Sequence, residues 1–290
     1  MNATLRRARP WLGTLVETQV AASDDTCARR AIEAAFAEIE AVHCRMSFHE
    51  ADSDLSRLHA APVGAAVEID PRTMAVLRFA LELAERSDGC FDPSIAGKLV
   101  AHGFLPPPRS PFAPNERASW HDIELMGSDH VRLRRPLWLD LGGIAKGYAV
   151  DQAIAALLAH GAAQVLVNAG GDLRVAGPRE EIVHLRDADD AGIAGAVAIR
   201  DAALASSAGA ATRQYRHGRW IGTHFDGCSG DAVGLFCATR VIAPTCMIAD
   251  ALTKIAFAAP PAIAQCLFAH YGAEVIVPGA HRRRMEGRAA

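Results

Sequence analysis

The sequence has little of what marks nucleic-acid-binding or membrane-spanning proteins. Its 30 Lys and Arg residues and 33 Asp and Glu residues nearly balance, giving a net charge of −3, so the basic excess of a nucleic-acid-binding protein is absent. No segment approaches the roughly 18 uninterrupted apolar residues of a membrane-spanning helix. We therefore expect neither a nucleic-acid partner nor a membrane span.

The number and spacing of the cysteines indicate neither disulfide bonds nor a metal-binding motif. The seven cysteines are odd in number and scattered, and no two form a C-x-x-C pair, so the spacing indicates neither a disulfide framework nor a zinc site. The basic residues 1–10 are not followed by a long apolar segment, so we expect no secretion signal. These features predict reduced thiols and a cytoplasmic location, with peripheral association with a membrane left open.

The length and composition predict a protein that can bury a core. The chain has 290 residues, of which 50% are hydrophobic. One large domain and two fused halves are equally compatible with this length.

The most informative stretch of the chain is 138–151. The apolar run 137–141 predicts a buried strand, Gly142 and Gly143 break it, and residues 145–160 have helical spacing up to a C-terminal cap at Gly161. Asp140 and Lys146 therefore meet at a helix N-terminus, where backbone N–H groups and the helix dipole favour an anion. We expect a phosphate-bearing ligand there.

The glycines of this stretch match no standard phosphate motif. Their spacing is not that of a dinucleotide fingerprint, and no Gly-Lys-Ser/Thr follows, as a Walker loop requires. An ordinary strand–turn–helix whose glycines only permit close packing is an equally open interpretation of these residues alone.

The remaining pattern predicts alternating strands and helices. We expect strands at 14–21, 183–185, 197–199 and 219–221, helices at 26–46 and 73–87, and a hairpin formed by 123–126 and 130–133. The apolar run 164–168 is typical of a parallel strand and ends in a second glycine turn, so its carboxyl end and that of 137–141 could share one ligand-binding edge. The small residues 202–211 are interpreted as a turn region without an assigned structure.

A second polar group lies in the apolar segment 241–257. A strand is expected to end near Pro244 and a helix to begin near Thr245, which places Asp250, Thr253 and Lys254 on one side of that helix. Asp250 and Lys254 could form an ordinary ion pair. The carboxylate and the hydroxyl could equally be half of a site for a hard divalent cation, which prefers oxygen ligands.

Six segments occur in the same order as in a known family and resemble it, namely 12–14, 46–56, 91–94, 140–149, 168–172 and 249–252. The family is that of the FAD:protein FMN transferases of the ApbE type. The resemblance implies an α/β (α+β) fold, with residues 1–290 forming a single compact body with internal duplication. It also implies an enzyme, a transferase that uses FAD and Mg²⁺, moves FMN through a phosphodiester bond to a Ser or Thr hydroxyl of an acceptor flavoprotein, and releases AMP.

The resemblance also assigns site residues position by position. It places contacts to FAD at Leu12, His49, Cys90, Phe91, Asp92, Asp140 and Lys146. It places metal ligands at the backbone carbonyl of Gly143, the side chain of Asp250 and Thr253. His224 and Asp250 are the candidate catalytic residues.

The sequence departs from the family pattern at three places. Lys254 stands where the family usually has a metal-binding Thr, and the family's His-x-x-Asp-Pro histidine falls at Thr223 or is displaced to His224. The family's Ser-Gly-Asp/Asn-Tyr is altered at 207–210. Two alternative functions remain open on the sequence, an FAD pyrophosphatase that uses water as the nucleophile and a non-catalytic flavin-binding protein.

Overall fold

The computed structural model describes residues 3–186, 192–216, 218–276 and 284–286. The helices are α1 (Asp25–Met46), α2 (Asp54–Ala60), α3 (Pro71–Arg86), α4 (Ala96–Ala101), α5 (Ala145–Ala159), α6 (Cys246–Ala258) and α7 (Pro261–His270). The strands are β1 (Ala3–Trp11), β2 (Thr14–Ala22), β3 (Ala66–Glu68), β4 (Ile123–Met126), β5 (His130–Leu133), β6 (Gln164–Ala169), β7 (Asp172–Ala176), β8 (Glu181–Arg186), β9 (Ile193–Arg200), β10 (Ala202–Ala208), β11 (Gln214–Arg216), β12 (Arg219–Ile221), β13 (Ala238–Ala243), β14 (Glu274–Val275) and β15 (Arg284–Glu286).

The core is organised around a seven-stranded sheet of order β1-β2-β6-β7-β10-β13-β14, in which every neighbouring pair is antiparallel. Helices α1, α5 and α6 contribute their apolar sides to the same core. The predicted mixture of helix and sheet in one body is confirmed. No helix in the described ranges has the length and hydropathy needed to cross a bilayer.

Helix α1 shows how sequence spacing produces this packing. Its buried residues recur every three or four positions, at Ala28, Ala31, Ile32, Ala35, Phe36, Ile39 and Val42. The helix begins where the side chain of Asp24 accepts the backbone N–H of Cys27 at 2.8 Å, which satisfies one of the unpaired donors of the first turn. Burial of each large side chain on this face contributes about 1.5–3 kcal/mol of transfer free energy.

Local predictions from periodicity are largely confirmed. The helices at 26–46, 73–87 and 145–160 correspond to α1, α3 and α5, and Gly161 follows α5 with φ +81°. The hairpin corresponds to β4 and β5, and the strands at 14–21, 183–185, 197–199 and 219–221 correspond to β2, β8, β9 and β12. Helix α6 begins after Thr245, whose hydroxyl accepts the N–H of Ile248 at 3.4 Å. Strand β1 was not predicted, since residues 1–10 were noted only for their basic charge, and the structure shows it as the hairpin partner of β2.

The predicted strand at 137–141 is wrong. The segment makes a single bridge, between Trp138 and Ile95. Its other backbone partners are not strands, because Leu139 donates its N–H to His59 Nε2 at 2.8 Å and Asp140 donates to the carbonyl of Pro93 at 2.9 Å. The run is apolar because it is buried, and burial alone does not distinguish a strand from an extended connection.

The strand predicted at 164–168 is confirmed as β6, but its predicted parallel orientation is wrong. Strand β6 lies antiparallel between β2 and β7. A tight turn at Gly170 and Gly171, with φ of +68° and +105°, reverses the chain directly into β7. A parallel neighbour would have required a longer crossover connection.

The region 202–211 is not a turn. Residues Ala202–Ala208 form β10, a central strand between β7 and β13, and a short 3-10 helix follows at Gly209–Ala211. Helix α6 packs against β10. Small side chains such as Ala203 and Ala205, both fully buried, let the helix and the strand approach closely, which is why the segment lacks the large apolar residues that usually mark a strand.

The buried ring of His59 makes stability depend on pH. Burial lowers the pKa of His59 to about 4, whereas a histidine in the unfolded chain has a pKa of about 6.5. Between these values the unfolded state binds the proton and the folded state does not. This contribution is therefore fully present above about pH 6.5 and is lost as the pH falls towards 4, by up to roughly 3 kcal/mol.

Urea unfolding at about pH 7.5 and about pH 4.5 measures this dependence. We expect His59→Gln, whose amide oxygen can accept the N–H of Leu139, to lose less stability between the two conditions than the unsubstituted protein. An identical loss in both proteins would show that another group carries the effect.

Candidate functional site

The candidate site lies where one edge of the large sheet meets the first turn of α5 and the middle of α6. The β1–β2 turn, with Leu12 at φ +56°, and the β6–β7 turn lie at this edge, because β2 and β6 are paired up to Val16 and Ala169. The carboxyl end of β10 reaches the same edge, where the backbone N–H of Ser206 donates to Asp172 Oδ1 at 3.3 Å.

Four charged side chains form the centre of the site. The carboxylates of Asp250 and Asp172 are 0% and 2% exposed, while the side chains of Lys146 and Lys254 are 33% and 20% exposed. Lys254 donates to Asp250 Oδ1, and Lys146 donates to Asp172 Oδ2 and lies 3.9 Å from Asp250 Oδ2. Two buried negative charges are thus balanced by two ammonium groups that reach towards solvent.

The pKa values of the cluster reflect this pairing. Burial opposes ionisation of Asp250, but Lys146 and Lys254 outweigh it and lower the pKa of that carboxyl. Burial likewise opposes the charge on Lys146, and Asp250 and Asp172 outweigh it and raise its pKa. Burial, reinforced by the neighbouring charge of Asp250, raises the pKa of Asp172. Asp250 is therefore the carboxylate held most firmly in its charged form.

Helices α5 and α6 are fixed to each other by backbone contacts and carboxylates. A Cβ on Gly147 would lie 2.3 Å from the carbonyl oxygen of Cys246, so only glycine permits this approach. The N–H of Gly147 donates to Asp250 Oδ2 at 3.1 Å. In the other direction, Asp151 accepts the N–H groups of Cys246 and Met247, both at 2.9 Å, and so caps the N-terminus of α6 from α5.

The structure brings the three predicted metal positions to one place, with a difference in the role of Thr253. Its hydroxyl is buried and donates to the carbonyl of Asp250 at 2.7 Å, and it lies 2.8 Å from Ser207 Oγ. Lys254 lies over Gly143, since a Cβ on that glycine would be 3.2 Å from Lys254 Cε. The carboxylate oxygens suit a hard cation such as Mg²⁺, but Lys254 occupies one oxygen of Asp250.

His224, and not Thr223, faces the charge cluster. Its ring packs edge-on against Phe257 of α6 with centroids 5.1 Å apart. Burial, together with the positive charge of Lys254, lowers the pKa of His224 to about 4. The hydroxyl of Thr223 lies 3.0 Å from that of Thr212. His224 is therefore neutral near pH 7 and can accept a proton.

The candidate FAD contacts fall into two connected segments. Asp140 accepts the N–H of Gly142 at 3.1 Å, and burial raises its pKa although Lys254 and the exposed His49 favour its charge. The N–H of Asp140 also joins this segment to 90–94 through the carbonyl of Pro93 at 2.9 Å. Asp92 accepts from both the N–H and the hydroxyl of Ser94 at 2.7 Å, which forms a tight turn at this point of the chain.

The other predicted contacts in this part of the fold are more enclosed. Cys90 and Phe91 are buried, and the N–H of Phe91 donates to Ser87 Oγ at 3.1 Å. Leu12 is half-buried in its turn and packs against the main core. The structure therefore places Lys146 in the cluster and Asp140 near both Lys254 and His49. It joins the 90–94 segment to Asp140 through Pro93 and leaves Leu12 in the β1–β2 turn.

Sequence reasoning gave no role to Asp172, Asp151 or Ser207. Asp172 follows the second glycine turn directly, and that position was a usable signal. Asp151 is a carboxylate on the buried side of an otherwise apolar helix, which is a second signal. The contact of Ser207 with Thr253 depends on the pairing of β10 and has no local signature.

Comparisons with known proteins decide the family. The sequence model of the ApbE family matches residues 12–277. The chain belongs to the ApbE family. Curated ApbE relatives include the FAD:protein FMN transferase of Rhodobacter capsulatus, 33% identical over 221 residues that cover 71% of this chain and 42% of the relative. The FAD:protein FMN transferase of Treponema pallidum (strain Nichols) is 31% identical over 181 residues, which cover 58% of this chain and 50% of the relative.

The chain thus spans about half the length of these two ApbE relatives. Solved ApbE structures share its fold. The ApbE protein from Thermotoga maritima superimposes with a TM-score of 0.80 at 23% identity, covering 94% of this chain and 93% of the other. The apo form of the Pseudomonas stutzeri flavinyl transferase ApbE gives a TM-score of 0.77 at 21% identity, covering 94% and 90%.

Proposed function

We propose that this ApbE-family chain is an FAD:protein FMN transferase, which moves FMN from FAD to a Ser or Thr hydroxyl of an acceptor flavoprotein and releases AMP. The observation that carries the proposal is the buried cluster of Asp250, Asp172, Lys146 and Lys254 with a neutral histidine beside it. The names of the curated relatives support the same activity.

The residues of the cluster suit attack on a pyrophosphate. The ammonium group of Lys146 is partly exposed to solvent while its carboxylate partner Asp172 is buried, so it can hold the negative charge that grows on the phosphate oxygens as AMP leaves. His224 is neutral near pH 7 and is our candidate for accepting the proton of the attacking hydroxyl, with a base strength that its lowered pKa reduces. Asp140 interacts with both Lys254 and His49, and we assign Asp140 and His49 to contacts with the rest of FAD.

We further propose that Mg²⁺ is bound by the side chain of Asp250 and the carbonyl of Gly143, with Thr253 beside them. Bound Mg²⁺ would supply Lewis-acid stabilisation of phosphate oxygens. The oxygen donors fit this ion, and Lys254 must leave Asp250 Oδ1 for the ion to coordinate there. The long, flexible side chain of Lys254 can then turn towards solvent.

One incubation separates the proposed function from its alternatives. Purified protein is mixed with FAD and Mg²⁺, with and without candidate flavoproteins, and AMP, free FMN and protein-bound FMN are measured. We expect AMP in step with FMN on the acceptor. AMP with only free FMN would identify an FAD pyrophosphatase, and binding of FAD without AMP would identify a flavin-binding protein.

The protein is expected to bind FAD more tightly than FMN. The cluster at the α5 N-terminus, together with Asp140, suits a ligand that carries a pyrophosphate and an adenosine half, and FMN lacks both. Calorimetric titration with each flavin, in the absence of an acceptor, measures the difference. The same titration with ADP, which carries the shared diphosphate and adenosine, is the matched control and is expected to compete with FAD. Equal affinities for FAD and FMN would contradict the placement of the pyrophosphate.

A further inference from the structure

Two thiols and a carboxylate meet at a second place in the fold, which shares no residue with the charge cluster. The Sγ atoms of Cys90 and Cys228 and a carboxylate oxygen of Asp226 all lie within 4.8 Å of one another. Cys90 lies in the connection between α3 and α4, and the other two residues lie in the connection between β12 and β13. The cysteines are far apart in sequence, which is why their spacing contains no metal-binding motif.

Hydrogen bonds to the backbone hold these three residues in position. The N–H of Gly227 donates to the carbonyl of Cys90 at 3.1 Å, and Cys228 donates its thiol to the carbonyl of Asp88 at 2.7 Å. Asp226 accepts the N–H of Cys228 at 3.0 Å, which turns the loop so that its carboxylate and the thiol face the same side. The arrangement is therefore built by the two segments that pack together.

We propose that Cys90, Cys228 and Asp226 form a Zn²⁺ site. Zinc–sulfur bonds of about 2.3 Å in a tetrahedral arrangement place ligand sulfurs about 3.8 Å apart, which the observed spacing accommodates after small side-chain movements. Thiolates select Zn²⁺ over Mg²⁺, which prefers oxygen ligands. Among the described residues the cluster has three members, so the fourth position is available to water.

Binding of Zn²⁺ exchanges protons for the metal ion. Zn²⁺ replaces the two thiol protons, two zinc–sulfur bonds form, and two protons are released to solvent. The hydrogen bond from Cys228 to the carbonyl of Asp88 is given up in this step. No oxidant or reductant is required.

The site would join two segments of the proposed active site. One ligand precedes Phe91 and Asp92, and the other two follow His224. A bound ion would hold these segments together at the periphery of the charge cluster. The inference goes beyond the proposed function and does not depend on it, because metal binding is measured without FAD or an acceptor.

The test uses the full-length protein, reduced with a phosphine and freed of metal. Zn²⁺ affinity is measured by calorimetry, and Cd²⁺ is added as a second probe because it gives a near-ultraviolet charge-transfer band with thiolate ligands. We expect one ion per chain and a band corresponding to two thiolates. Cys228→Ala and Cys90→Ala are each expected to weaken Zn²⁺ binding by at least about 100-fold. Loss of a residue that only hydrogen-bonds to a metal ligand costs up to about 100-fold in affinity, and loss of a ligand itself should cost no less.

Two further variants sharpen the test. Cys266→Ala removes an exposed thiol of α7 and is expected to leave the affinity and the band unchanged. Asp226→Asn is expected to weaken Zn²⁺ binding while the Cd²⁺ band remains, since both thiolates are retained. Because Cys228 is exposed, its variant tests the proposal even if Cys90→Ala fails to fold. A reduced protein without a Cd²⁺ band, or a band that is unchanged in Cys228→Ala, would overturn the assignment.

Discussion

Asp250→Ala is expected to lower the release of AMP from FAD by about 10²–10³-fold, the range associated with loss of one preorganised electrostatic group. The side chain is fully buried and is contacted by Lys254, Lys146 and the N–H of Gly147. Its removal deletes the charged oxygen ligand proposed for Mg²⁺ and leaves Asp172 as the cluster's remaining carboxylate opposite two ammonium groups. Both binding and turnover should therefore suffer.

The measurement combines AMP release over a range of Mg²⁺ concentrations with calorimetric titration of Mg²⁺. Circular dichroism checks that the variant is folded. We expect it to fold because both lysines can turn towards solvent and relieve the unpaired charge. Asp250→Asn is the matched control, because the amide keeps the shape and an acceptor for the N–H of Gly147 while losing the charge. Unchanged Mg²⁺ dependence in a folded Asp250→Ala protein would place the metal elsewhere.

Lys254→Thr is expected to strengthen Mg²⁺ binding and to raise FMN transfer. The ammonium group donates to the same Asp250 oxygen that a cation would use. Its repulsion of a divalent ion at a partly screened distance of several ångströms is roughly 2–4 kcal/mol. Removing it corresponds to a gain in affinity of about 30- to 700-fold, at 1.4 kcal/mol for each factor of ten.

Lys254→Met separates charge from coordination in the same experiment. Methionine removes the charge without supplying an oxygen, so a gain shared by both variants assigns the effect to repulsion. A larger gain in the threonine variant assigns the remainder to its hydroxyl. Weaker Mg²⁺ binding together with lower activity in Lys254→Thr would show that the ammonium group has taken over the role of the cation.

The sequence predicted features that depend on neighbouring residues in the chain. The spacing of Ile32, Phe36 and Ile39 on α1 follows from helical geometry, and the cap at Thr245 places Asp250 and Lys254 on one side of α6. The family resemblance added the order of the segments. Helical spacing, the helix cap and the family resemblance together identified the main segments of the candidate site.

The errors share a physical cause. The run 137–141 and strand β6 are apolar because both are buried. Hydropathy does not predict whether a buried segment pairs with a strand, or in which direction. Strand β10 was missed since its small residues reflect the closeness of α6, a tertiary constraint. The meeting of Cys90 with Cys228 depends on packing of two loops, which no periodicity encodes.

The capping of α6 by Asp151 has an evolutionary consequence. The helices that carry Lys146 and Asp250 are tied to each other by a carboxylate, two N–H groups and a glycine contact, so their relative position does not depend on the chain that connects them. The exposed loops of the intervening chain can therefore diverge or lengthen while Lys146 and Asp250 keep their relative position. Asp172 and Ser207, which lie in that chain and contact the two helices, are the positions where divergence is constrained.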